Sequence, residues 1–209
     1  MNLKLSLAQS RQFWRALMAN AVFLVDDARV LLEHGSAGRA HSLIVLAGEE
    51  LARANELYET AHAVWTAGEG EIVLAKDHLA LSKWHKPKIG GTERYGRRLE
   101  GFWGDYDTRR EPRDSATLDR MKQDGFYVKN ELGPSGEFGS PLDFEVEPVA
   151  DELRRMAGVV EMALISDHSR MKMLAPERYD STGILQSRLL PIAHPELFDD
   201  HFGQGGADA

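Results

Sequence analysis

Two adjacent carboxylates, Glu49 and Glu50, interrupt the alanine-rich run RAHSLIVLAGEELARANELY at 39–58. A carboxylate in apolar surroundings must find a proton, a cation or a hydrogen-bond donor, because its desolvation is otherwise uncompensated. At a helical advance of roughly 100° per residue, Ala40, Ile44, Ala47, Leu51, Ala54, Tyr58, Ala61 and Trp65 share one apolar face. Glu50 lies at the edge of that face, close beneath Leu43, and is expected to turn inward. Glu49 lies on the opposite side, where it is expected to pair with Arg53 in water at i,i+4 spacing. An inward Glu50 suits proton transfer, or the orientation of a histidine or lysine. A structural ion pair to a cation of another helix is the alternative.

The second group with chemical capacity is His85-Lys86-Pro87-Lys88. His85 can act as acid or base with Glu50 orienting it, while Lys86 or Lys88 holds a phosphate. That composite site would make a metal-independent ribonuclease leaving cyclic phosphate ends. From Lys83 to Arg98 the chain is locally basic: Lys83, Lys86, Lys88, Arg94, Arg97 and Arg98 stand against Glu93 alone. Trp84, His85 and Tyr95 interleave with them, so cations for phosphates and rings for bases lie together. Lys86, Lys88, Arg94 and Arg97 are the candidate RNA-binding residues. The same cations can instead neutralise acidic helices of this chain or of a second subunit.

Arg29 and His34 have the spacing that some helical ribonucleases use, with histidine moving a proton and arginine stabilising phosphate charge. Any arginine-rich helix produces that spacing by chance. No HExxH, paired-histidine or calcium-loop spacing occurs, and the glycine-rich stretches lack a P-loop lysine. No metal and no cofactor are expected.

Helices must position these groups. Trp14, Leu17, Ala21, Leu24, Ala28 and Leu31 recur at spacings of four and three and predict a first helix from Ser6 to His34. Gly35 stops it and Ser36 can cap the next. A connection this short predicts an antiparallel hairpin whose second helix runs to about Trp65. A third helix is expected from Glu71 to Trp84, stopped by Pro87. The stretch after it, rich in glycine and charge, reads as a long irregular insertion. Thr117–Gln123 predicts one or two helical turns, Phe126–Tyr127–Val128 a short β-like run, and NELGPSGEFGSP a series of turns. The last helix opens near Pro148, with Val149, Leu153, Met156, Val160, Ala163 and Leu164 as its buried stripe, and ends near Ser166–His168. Beyond Pro176 the periodicity fades, and the final residues read as disordered. The fold expected is all-α, a bundle of about four main helices. It forms one domain at 1–170, with a partly disordered extension at 171–209.

A chain of 209 residues can bury a full core. Its formal charge of −8 argues against a general nucleic-acid coat, though not against a local basic patch. The absence of cysteine excludes disulfides and thiolate zinc sites. No apolar run approaches the roughly 20 residues that span a bilayer, and the first residues lack a signal peptide's unbroken apolar core. A cytoplasmic protein without membrane contact is expected.

Taken together, these motifs resemble the AbiV family of bacterial abortive-infection proteins. ARVLLEHGSAGRAHSLIVLAGEELARANEL is similar to that family's opening hairpin, and Glu49-Glu50-Leu51-Ala52-Arg53-Ala54 to its signature. His85-Lys86-Pro87-Lys88 follows at the expected distance, and MKQDGFYVKNELGPSGEFGSP is similar to a later aromatic and turn segment. The resemblance covers roughly Ala16 to Val160. It implies a HEPN-like helical domain that acts in phage defence, is homodimeric, and binds a phage or host component, such as RNA or the translation machinery. It places Glu49, Glu50, Arg53, His85, Lys86 and Lys88 on family motifs. Many HEPN proteins cut RNA through Arg-x(4–6)-His near the start of a late helix. Here Arg154 and Arg155 are followed by no histidine before His168, so those catalytic roles are not carried over. A non-catalytic, antitoxin-like helical partner is the blander alternative.

Overall fold

The computed structural model describes residues 2–83, 88, 115–134 and 136–198. Helix α1 (Leu7–Glu33) and helix α2 (Ala37–Ala67) form the expected antiparallel hairpin. Ser6 starts α1 with a capping box, its hydroxyl accepting from Gln9 N while the Gln9 side chain accepts from Ser6 N. Gly35, at φ 74°, makes the turn, and Gly68, at φ 78°, closes α2 in the left-handed conformation. All eight residues predicted for the apolar face of α2 are buried. Trp14, Tyr58 and Trp65 pack on one another there, with ring centroids 5.5–6.3 Å apart.

Helix α3 (Ser115–Phe126) lies against α2, and helix α4 (Val146–Leu174) packs across α1 and α2. A short helix, α5 (Gly183–Ala193), seals the outer side of α1 and α4 with Leu189 and Ile192. The architecture is an all-α bundle, as the periodicity predicts. α2 is its centre, packed against α1, α3 and α4.

Three local expectations are corrected. No helix runs from Glu71 to Lys83: Ile72–Leu74 is a strand, β2, antiparallel to β1 (Leu3–Leu5), and Leu79–Leu81 is one 3-10 turn. The register pairs Leu3 with Leu74, Lys4 with Val73 and Leu5 with Ile72. β-branched residues favour a pleated pairing when a partner is present, and the partner comes from the far end of the α1–α2 hairpin. Phe126 ends α3, and Tyr127 and Val128 follow it outside any strand. α4 continues past Ser166–His168 to Leu174, because Asp167 and Met171 extend its buried stripe. Of the sequence motifs, His85, Lys86, Arg94 and Arg97 lie outside the described residues, as do most of the long insertion and the tail after 198.

Candidate functional site

The two adjacent glutamates have the reverse of their expected environments. Glu49 is the buried one, 1% exposed. Its Oε1 accepts from Lys122 Nζ at 2.9 Å, and its Oε2 lies 3.3 Å from Lys88 Nζ. Glu50 sits at the flank, where Arg53 Nη1 donates to both its oxygens at 2.8 and 3.1 Å. The side of α2 opposite the apolar face is covered by α3, so Glu49 points into a second interior. A small-residue stripe, Gly38, Ser42, Gly48 and Ala52, runs along α2 with Glu49 and was the available signal.

That stripe lets α3 approach closely. A Cβ added at Gly125 would stand 2.1 Å from Gly38 O and 2.2 Å from Ser42 Oγ, so no larger residue fits without moving the helix. Ser42 Oγ donates to Lys122 O at 2.7 Å, tying the two backbones together. Leu118, Lys122 and Gly125, at spacings of four and three, are the buried residues of α3 among those described. Lys122 thus occupies a core register, its ammonium between Glu49 and Asp119 Oδ1 at 3.0 Å. Among the described residues the two carboxylates Glu49 and Asp119 thus face the two ammoniums Lys88 and Lys122. The geometry suits joining three parts of the chain, with Lys88 as the third.

Arg53 makes a further tie. Its Nε and Nη2 donate to Ala80 O at 3.0 and 2.9 Å, gripping the 3-10 turn. His78 caps that turn: its Nδ1 accepts from Ala80 N at 3.1 Å, and its Nε2 meets Thr60 Oγ1 at 2.9 Å. Burial holds His78 below its ordinary pKa, against the opposing charges of Glu56 and Asp77.

A second buried charge cluster, absent from the motif reading, lies at the other end of the hairpin. Arg11 donates to both oxygens of Asp167 at 2.6 and 2.7 Å, and its Nε and Nη2 donate to Asp180 Oδ1 at 2.8 and 2.6 Å. Arg15 Nη1 reaches Asp180 Oδ2 at 2.6 Å. The Arg11 guanidinium also lies over Trp14, 4.5 Å from its centroid, and 5.2 Å from that of Trp65. Burial opposes the charge on Arg11, but hydrogen bonds and attraction from Asp167 and Asp180 outweigh it and raise its pKa. For Asp167 burial is the larger effect and lifts the carboxyl above its ordinary range, against the pull of Arg11. The missed signal was again a charge in a core register, Asp167 continuing the run Val160, Ala163, Leu164.

The arginine–histidine spacing on α1 assembles no such site. Arg29 binds Asp26 and Glu33, and His34 Nδ1 bonds Val30 O. On the late helix, Arg155 pairs with Glu152, and His168 meets the Tyr179 hydroxyl at 2.5 Å. Among the described residues no group of three or more histidines and carboxylates could hold a metal ion, and no helix is long and apolar enough to cross a membrane.

The fold is an all-α bundle around a central helix with a buried carboxylate on its second face, consistent with a HEPN-like helical domain. The AbiV family model matches residues 9–161, most of the chain, and the protein belongs to that family. Membership implies abortive-infection phage defence. No curated protein and no solved structure matches the chain.

Proposed function

We propose that the protein acts in abortive infection by binding a phage or host component through the basic stretch Lys83–Arg98. The supporting observation is the anchoring of Lys88, which is 6% exposed and paired with Glu49 at the centre of the bundle. Lys88 is therefore a fastening residue, and Lys86, Arg94 and Arg97 are the cations assigned to the ligand. RNA, free or within the translation machinery, is the ligand class that cations interleaved with Trp84 and Tyr95 fit best. The protein acts as a homodimer in this proposal, which sedimentation measures directly.

The test is the triple substitution of Lys86, Arg94 and Arg97 by alanine in cells challenged with phage. Protection should be lost while the thermal melt of the purified protein is unchanged. If single-stranded RNA is the ligand, the slope of log affinity against log salt should fall by about 2, for three phosphate contacts. Protection retained by the triple variant overturns the proposal.

A further inference from the structure

The segment after α3 displays apolar side chains that the bundle leaves in solvent. Tyr127 is 65% exposed, Val128 63%, Leu132 62%, Phe138 56% and Leu142 78%. Single exposed apolar residues are ordinary, whereas a group containing aromatic anchors marks an interaction surface. Part of this group sits on a hydrogen-bonded frame. Leu132 and Phe138 are opposite residues of an antiparallel bridge, which puts their side chains on one face. Lys129 N donates to Gly139 O at 2.9 Å, and Gly133 N to Glu137 O at 2.8 Å. The Phe126 and Tyr127 rings meet edge to face, with centroids 6.3 Å apart. A backbone already held in place loses less entropy on binding.

Charge selects the occupant. Between residues 124 and 147 the acids are Asp124, Glu131, Glu137, Asp143, Glu145 and Glu147, and the only base is Lys129. Lys129 is paired with Asp124 at 2.8 Å. Glu131 and Glu137 are exposed and adjoin Leu132 and Phe138 along the chain, at the edges of that face, and Glu145 is exposed as well. A two-fold contact with a second copy would set this acidic rim against itself, and a nucleic-acid backbone would meet like charge. We propose that the patch docks a cationic amphipathic segment of another protein. Its apolar side chains would sit on Tyr127, Leu132 and Phe138, and its lysines or arginines would face Glu131, Glu137 and Glu145. The surface uses none of the basic residues assigned above, so either proposal can fail while the other stands.

The probe is a fluorescein-labelled helical peptide of leucine and lysine, with leucines at i,i+3 and i,i+4 spacing, titrated with the full chain. The same peptide with glutamate for lysine and a labelled oligouridine serve as comparisons. Saturable binding of the lysine peptide is expected. Tyr127→Ser with Phe138→Ser should weaken it about tenfold or more, the loss typical of anchor residues. Glu131→Gln with Glu137→Gln should weaken it and flatten its salt dependence. The second pair alters exposed side chains only, so it carries the test if the first pair perturbs folding. No saturable binding, equal binding of the glutamate peptide, or binding unaffected by both pairs overturns the proposal. Oligouridine displacing the peptide from wild type but not from the Glu131 and Glu137 variant also overturns it. So does a loss of self-association in the Tyr127 and Phe138 variant, because that assigns the patch to a second copy.

Discussion

The two buried ion clusters share a plan and differ in chemistry. In each, one central charge is held between two opposite charges and ties the α1–α2 hairpin to distant chain. Around Glu49 the centre is a carboxylate, which among the described residues meets the ammoniums of Lys88 and Lys122. Around Arg11 the centre is a planar guanidinium, bidentate to Asp167 and shared with Asp180. A buried lysine left without its carboxylate can lose its proton, and its flexible stem can carry the head toward water. A buried arginine cannot be neutralised and must keep its charge. The Glu49 cluster is therefore the adjustable fastening, and it holds the start of the basic stretch. The Arg11 cluster is the rigid one, and it holds the end of α4 and the segment leading to α5.

The largest effect should come from Asp167→Asn, which leaves Arg11 charged and buried with Asp180 as its remaining carboxylate. A loss of about 3–5 kcal/mol is expected in urea unfolding. Glu49→Gln should cost less, about 2–3 kcal/mol, because Lys122 keeps Asp119 and a lysine's flexible stem can carry its charge toward water. Its signature should be faster amide exchange at residue 88 and in α3, with α5 unaffected. A Glu49→Gln cost equal to or above that of Asp167→Asn would break the comparison. The smallest effect concerns the His78 cap beside Arg53. Burial keeps the folded pKa of His78 below the ordinary 6.5. The unfolded chain therefore takes up this proton first as pH falls. The cap contributes fully above 6.5, and its contribution declines as pH drops toward the folded value. His78→Asn, which can still cap, should show a flatter melting-temperature profile between about pH 7 and 5. A profile parallel to wild type would remove His78 as the source.

Much of this architecture was legible in the chain. The apolar stripe of α2 follows the helical period in full, that of α1 does so except that Leu24 and Leu31 are only half-buried, and α4 is buried on every side from Met156 to Leu164. Gly35 and Gly68 stop helices through a backbone conformation that glycine adopts at little cost. The family was legible in the motifs too, through Glu49–Ala54 and the residues that follow in order. Of the candidate site, the sequence showed only that some charges on α2 need partners. Glu49, Arg53 and Lys88 do meet partners in the interior or at its edge, but the environments of Glu49 and Glu50 were exchanged. Helical periodicity correctly placed Glu49 opposite the apolar face and could not reveal that α3 covers that side.

The sequence by itself determined the three long helices α1, α2 and α4, the α1–α2 hairpin connection and the family, because these rest on short-range periodicity, capping and ordered motifs. Tertiary structure decided which charges are interior. Lys122 and Asp167 occupy core registers and meet their buried partners far along the chain, Glu49 and Arg11 respectively. It also decided that Ile72–Leu74 is a strand, since the backbone partner that makes it one is Leu3–Leu5. Local propensity fixes where a side chain points on its own helix, and only the packing of other segments determines what it meets there.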